Sequence, residues 1–376
     1  FYPCVVPPKD WSSPISGGYL TYYTPQLPFI KVRGNLQSRN YLEDLQGNTK
    51  EMSEVYDAIN TIQRTPWRVN SFVLETFNQI HELNLPVAGL PSREDIPKPP
   101  SPLAAHQDSS ELTDDEKQKF KRWKKKVTTI YEENLALKSK RLMTAKIASI
   151  ADRFQQYEAI YFPHTMDFRG RAYPAPMYLN PQGNSLSKGL LEFAAGKPLG
   201  SDEAVCELAV HGANCFGYDK CSMDERIDWV EENTQRILQV ATDPMADLWW
   251  AKEADDPWCF LAFCYEWNGF HRHGLEHISH IPIAKDYQKV IDLAAVKISA
   301  DLGGDNDSIA QACLNYGLSR KAAKRMTMCR VYGSTLYSGR QFLSEYITDT
   351  DTKRRQEDLS YTSPLDGLEF EAALYL

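Results

Sequence analysis

Apolar positions recur at helical spacing in several stretches of the chain. Val69, Phe72, Val73, Phe77 and Ile80 follow a helical period. Thr65 before Pro66 offers an N-cap and a proline at the first helical position, which predicts a helix from there to about Leu83. Met52 to Ile62 also reads as helix. Residues 1 to 48 are rich in Pro, Gly and aromatics, as in SGGYLTYY, and predict extended and looped chain. From Leu85 to Glu116 the chain is rich in Pro, Ser and Asp and has no periodicity, which predicts a mobile connector. A long helix is expected from about Asp114 to Phe154. Between Tyr161 and Gly200, short apolar runs broken by Pro and Gly predict β-ribbon and turns. Ser319 is a good N-cap and neither Gly nor Pro follows until Gly333, so Arg320 to Tyr332 is expected to be one helix. Tyr287, Val290, Ile291 and Ala294 mark a further amphipathic helix, directly after the strand-like Ile-Pro-Ile-Ala at 281–284.

The helix from Arg320 carries Arg320, Lys324, Met328 and Tyr332 at intervals of four, a slowly drifting stripe. Two cations near a helix start repel the positive end of its dipole unless an anion sits there. A triphosphate suits that place, with Tyr332 about 12 Å beyond Lys324 at ~1.5 Å per residue. A solvated basic face is the plainer reading of the same spacing.

Composition sets outer bounds. The chain has 376 residues, 42% hydrophobic and 24% charged, enough for two or three cores. No run of eighteen apolar residues occurs, so no membrane span is expected. Phe1-Tyr2-Pro3 is neither an initiator nor a signal peptide, and the amino end reads as cut from something longer. Eight cysteines show no CxxC pair and no Cys/His ligand spacing, and read as reduced intracellular thiols. The net charge of −8 argues mildly against nucleic acid, yet local distribution matters more. Lys117 to Lys146 holds eleven Lys/Arg and two acids, Glu132 and Glu133. Lys124, Lys125, Lys126, Lys138, Lys140 and Arg141 lie along that helix. They make either a solvated face or an arm that tracks a phosphate backbone. Trp123 and Tyr131 among them either stack on a partner or pack. Asp167, Arg169 and Arg171 alternate with Phe168 and Gly170 and share a face if the segment is extended. An internal ion pair explains one arginine and leaves the other for phosphate.

The spacing Arg-x3-Lys-x7-Tyr-Gly is similar to the fingers-helix motif of right-hand polymerases, both Klenow-type DNA polymerases and single-subunit RNA polymerases. FPHTMDFRGRAYP, followed by NPQGNSLSKGLLEFAAGKPLG, resembles the single-subunit RNA polymerases of T-odd phages and mitochondria. HGANCFGYDK, ERIDWVEEN and DPWCFLAFCYEWNGF continue the resemblance, in wording closer to the phage branch. It covers nearly the whole chain, more weakly before residue 65.

The resemblance implies an α+β, mainly helical, right-hand fold with part of an amino-terminal domain. Residues 1–86 end that domain, 87–150 form the thumb, 151–284 the palm and 285–376 part of the fingers. Arg320 and Lys324 match cations that hold the incoming triphosphate, and Lys220 matches a third. Tyr332 matches the tyrosine that closes the nucleotide site and selects ribose. Gly333 lets the backbone approach the template base, and Tyr337 stacks at the downstream DNA edge. Arg169 and Arg171 fall in the motif near the template–product hybrid. Double-stranded DNA promoter and template, nascent RNA and ribonucleoside triphosphates are the implied partners, with a monomeric enzyme in the infected bacterial cytoplasm or a mitochondrion.

Two Mg²⁺ ions are the implied cofactor, each needing carboxylates. Here the sequence departs from the family. Asp286 stands where the first catalytic aspartate belongs, but DYQKVIDLAAVKI looks like a helix that normally starts further downstream. A segment between Ala284 and Lys285 is therefore expected to be missing, so that the two are not bonded neighbours. The second aspartate belongs to a His-Asp-Ser motif, and no His-Asp dipeptide occurs. The leading expectation is a DNA-dependent RNA polymerase transcribing phage genes. The alternative is a non-catalytic nucleic-acid-binding fragment or half of a split polymerase, with a DNA polymerase third.

Overall fold

The computed structural model describes residues 1–21, 27–31, 36–47, 49–102, 113–282, 297–300, 302, 307–317, 336–357, 360–368 and 372. Among these the fold is α+β, mainly helical with four small sheets. The chain divides into two compact units, one of residues 1–219 with 226–282 and one of 220–225 with 283–376.

The first unit opens with an antiparallel pair, β1 (Lys9–Ser13) and β2 (Ser16–Gly18). β3 (Ile30–Lys31) pairs in parallel with a later strand, β5 (His164–Asp167). Helix α1 (Leu36–Gly47) follows, where extended chain was expected from the sequence. Its low apolar content hides it from a periodicity reading. Helix α2 (Ser53–Gln63) agrees with expectation. Trp11, Phe29, Ile30, Tyr56 and Ile59 form the local core. Asn60 anchors it by accepting from the Trp11 amide (2.7 Å) and donating to the Trp11 carbonyl (3.0 Å).

The helix expected from Thr65 starts later. Trp67–Val69 is a strand, β4, paired with β7 (Leu191–Phe193). Helix α3 (Ser71–Glu82) begins after Asn70, whose side chain accepts from the Val73 amide at 3.0 Å. The sheet claims the backbone groups of 67–69, so a local Thr-Pro signal loses to a distant partner.

Helix α4 (Asp114–Phe154) has the expected bounds and a full capping box between Thr113 and Glu116. β5 (His164–Asp167) and β6 (Ala172–Pro174) make a hairpin. A short helix α5 (Ser185–Gly189), capped by Asn184, interrupts the expected ribbon. β8 (Lys197–Pro198) pairs with β9 (Ile278–Ser279).

Helices α6 (Asp202–Phe216), α7 (Met223–Glu232), α8 (Thr234–Thr242) and α9 (Trp249–Glu253) come before α10 (Pro257–His273), which is the hub. It packs on α3, α5, α6, α8 and α9. Trp258, Phe260, Leu261, Phe263, Cys264 and Trp267 are all buried, which is why its sequence is apolar on almost every side. Phe260 meets Phe216 and Trp249 edge to face, with centroids 5.0 and 5.5 Å away. The second unit has helix α11 (Asp307–Tyr316) and helix α12 (Leu336–Glu357) around Cys313, Tyr316, Leu343 and Ile347.

Candidate functional site

The DFRGR segment is a hairpin turn, not an extended strand with acid and arginines on one face. Gly170 has a φ of +79°, a conformation that side chains rarely adopt. The Asp167 carboxylate turns inward on the backbone: Oδ1 accepts the amides of Arg169 (2.9 Å) and Arg171 (3.0 Å). Desolvation, the largest single influence, would raise its pKa, but those amides and the two guanidinium charges together outweigh it and hold the group below its ordinary value. The acid thus shapes the loop that carries both arginines. Phe168 is 68% exposed at its tip with the Arg169 guanidinium 5.2 Å above its ring.

Helix α4 carries the second cationic element. Up to Thr144, its less exposed positions are Glu116, Phe120, Trp123, Val127, Ile130, Asn134, Leu137, Arg141 and Thr144. They alternate four and three apart, a seam of period 3.5. Lys124, Lys125, Lys126, Lys138 and Lys140 lie off that seam and are exposed.

Residues 92–99, expected to be mobile, lie along α4 as a strap running antiparallel to it. Arg141 donates to the carbonyls of Ser92 (2.6 Å) and Glu94 (2.7 Å) and pairs with Asp95 (2.8 Å). Asn134 accepts from the Ile96 amide (2.8 Å) and donates to its carbonyl (3.1 Å). Trp123 donates its indole N–H to the Pro99 carbonyl at 3.0 Å. Arg141, expected on nucleic acid, is thus engaged by the strap, and Trp123 packs. An extended Pro-rich segment leaves its carbonyls unpaired, and side chains of α4 supply the missing donors.

Lys220 is exposed in the turn after α6. Gly217 caps that helix in the left-handed region (φ +116°). Fully buried Arg226 donates to Asn214 Oδ1 (3.1 Å) and the Asp219 carbonyl (3.0 Å), bracing the chain just before Lys220. Tyr337 lies in the first turn of α12, and its side chain is outside the described residues. Arg320, Lys324, Tyr332, Gly333, Ala284, Lys285 and Asp286 are outside them too.

A buried polar cluster fixes the strand that leads to residue 282. Glu266 Oε2 lies 2.7 Å from His277 Nε2, and Oε1 accepts the His280 amide at 3.2 Å. Glu192 takes Arg68 at 2.6 Å and Asn70 at 2.7 Å. Burial pushes the Glu192 carboxyl up, and Arg68 opposes it. Sequence reading missed Arg226, Glu266 and Glu192, since polar residues inside apolar helices and strands carry no periodic signal.

The family model for DNA-dependent RNA polymerase matches residues 197–286, and that for the DNA-directed RNA polymerase N-terminal region matches 1–64. The DNA-directed RNA polymerase of Enterobacteria phage T3 is 34% identical over 398 aligned positions, covering 91% of this chain and 43% of that protein. T7 RNA polymerase of Escherichia phage T7 is 33% identical over 404 positions, covering 92% and 44%. The chain belongs to the single-subunit DNA-dependent RNA polymerase family. A mitochondrial member from Neurospora crassa is 31% identical, over 92% of this chain and 26% of its own. The chain therefore spans less than half the length of these polymerases. The T3 alignment has 398 positions, while 91% of 376 residues is about 342, so about 56 positions of that polymerase face no residue here. Polymerases of this family imply a divalent metal, but among the described residues no group of three His, Cys, Asp or Glu side chains is placed to hold one. No described helix is long and apolar enough to cross a membrane.

Proposed function

We propose that this chain is the central part of a right-hand, template-directed RNA polymerase that transcribes phage genes. The observation that carries the reading is one-third identity with the phage enzymes along nine-tenths of this chain. The basic face of α4 supports a thumb that follows the template–product hybrid by neutralising phosphates. The turn with Arg169 and Arg171 supports a second phosphate contact. Arg320, Lys324 and Lys220 are assigned to the triphosphate, Tyr332 and Gly333 to the sugar and templating base, and Tyr337 to the downstream DNA. Promoter DNA, nascent RNA and ribonucleoside triphosphates are the proposed partners of a monomer in the host cytoplasm. Two Mg²⁺ ions are the proposed cofactor. The domain plan is 1–86, 87–150 as thumb, 151–284 as palm and 285–376 as fingers.

A second reading is one half of a split polymerase. It is favoured by the unmatched positions in the phage alignments and by the polymerase match that stops at Asp286. Run-off transcription on phage promoter templates separates the readings. RNA made by this chain by itself would show that its own residues suffice for the reaction and would make Asp286 the first candidate for a metal ligand. RNA made only when the carboxyl-terminal part of a phage relative is added supports the split form. No RNA in either case, with nucleic acid still bound, leaves a binding module and sinks both.

A further inference from the structure

The cations of α4 are interrupted. Between Lys126 and Lys138 the helix reads VTTIYEENLAL, with no Lys or Arg and two glutamates. A phosphate backbone running along the helix would meet a gap of about 18 Å there, at ~1.5 Å per residue. The strap closes that gap. Lys98 lays its ammonium 3.9 Å from the centre of the Tyr131 ring and donates to the Tyr131 hydroxyl. Tyr131 lies seven residues from both Lys124 and Lys138. Seven residues are nearly two full turns, so the three positions form one line along the helix, about 10.5 Å apart. The ammonium at the middle position comes from the strap.

Lys98 is also held in place. Its neighbours on either side are hooked to the helix, Ile96 by Asn134 and Pro99 by Trp123. Pro97 and Pro99 stiffen the chain around it. Lys98 is exposed and Tyr131 is 54% exposed, so the ammonium faces solvent with donors to spare. A lysine needed only for solubility requires neither the hooks nor the ring. A lysine that binds phosphate gains from both, because less side-chain freedom is lost on contact.

We propose that Lys98, on the strap, is a nucleic-acid-backbone contact that completes the cationic line of Lys124 and Lys138 on α4. The inference rests on the reading of α4 as a nucleic-acid interface. The test measures binding of the purified chain to a fluorescent RNA–DNA hybrid across salt concentrations, for the wild type and three variants. Lys98→Gln is expected to shallow the slope of log affinity against log salt by about 0.7–0.9, and Lys98→Arg to retain it. The triple change of Lys124, Lys125 and Lys126 to Gln tests the underlying reading. If the triple variant shallows the slope and Lys98→Gln does not, Lys98 is no contact and the inference falls by itself. If neither moves the slope, the interface reading falls and takes the inference with it. Faster tryptic cleavage after Arg93 in Lys98→Gln, with an unchanged slope, would show a purely structural strap lysine and overturn the proposal.

Discussion

Gly189 ends the short helix α5 within the NSLSKGLLEF stretch, and its lack of a side chain sets how closely that helix meets α10. A Cβ there would come within 2.6 Å of the Trp258 carbonyl oxygen, a backbone atom that cannot swing aside. Gly189→Ala should therefore destabilise the first unit by about 1–3 kcal/mol, the usual cost of overpacking. Urea unfolding reads this, and an unchanged midpoint would show that the two helices separate freely. Asp167 acts on a smaller scale. Its folded pKa is depressed, so its support for the turn is complete well above the ordinary value of 3.8 and is lost as pH falls through the folded value. Asp167→Asn should flatten the acid limb of the stability profile below that value and leave neutral pH less stable than wild type. A steep limb in both proteins would assign acid unfolding to other carboxylates. Lys324→Ala, in an active polymerase, should lower nucleotide use by about 2–4 kcal/mol in the transition state. DNA affinity should hardly change, and equal loss of both would refute a triphosphate role.

At the scale of elements, α4 divides its faces. Its period-3.5 seam takes the strap, and its outer faces keep the lysines. Asn134 sits on that seam and gives both polar atoms of its amide to Ile96. Asn134→Ala removes two hydrogen bonds of about 0.5–1.5 kcal/mol each. Cleavage by trypsin after Arg93 should accelerate accordingly while the helix itself persists. If the rate stays that of wild type, Arg141 and Trp123 hold the strap without it. The bounds of α4 were legible in the sequence, because its capping box and its freedom from Gly and Pro are local signals. The strap was not legible. A Pro-rich segment without periodicity says nothing about the side chains that will hook its carbonyls. The late start of α3 has the same origin, since β4 owes its existence to β7, some 120 residues away.

At the scale of the whole molecule, the questions concern continuity at Ala284 and Lys285. A segment missing between them predicts that the tryptic peptide from His273 to Lys285 is absent from a digest of the native protein. Mass spectrometry decides it. Recovery of HGLEHISHIPIAK at its calculated mass would join the two residues and overturn the missing segment.

The amino-acid sequence by itself determined the family. Motifs such as DFRGR and Arg-x3-Lys-x7-Tyr-Gly carry the resemblance in residue identities and spacings that can be read without a fold. It also determined the elements whose signals are local, α2 and α4. Only the tertiary structure decided which arginines are taken. Arg141 is spent on the strap and Arg226 on the turn before Lys220, while Asp167 accepts the backbone amides of Arg169 and Arg171. The physical reason is common to all three. A buried or turn-bound backbone group must find a hydrogen-bond partner, and which side chain is near enough to supply it depends on contacts between residues far apart in the chain.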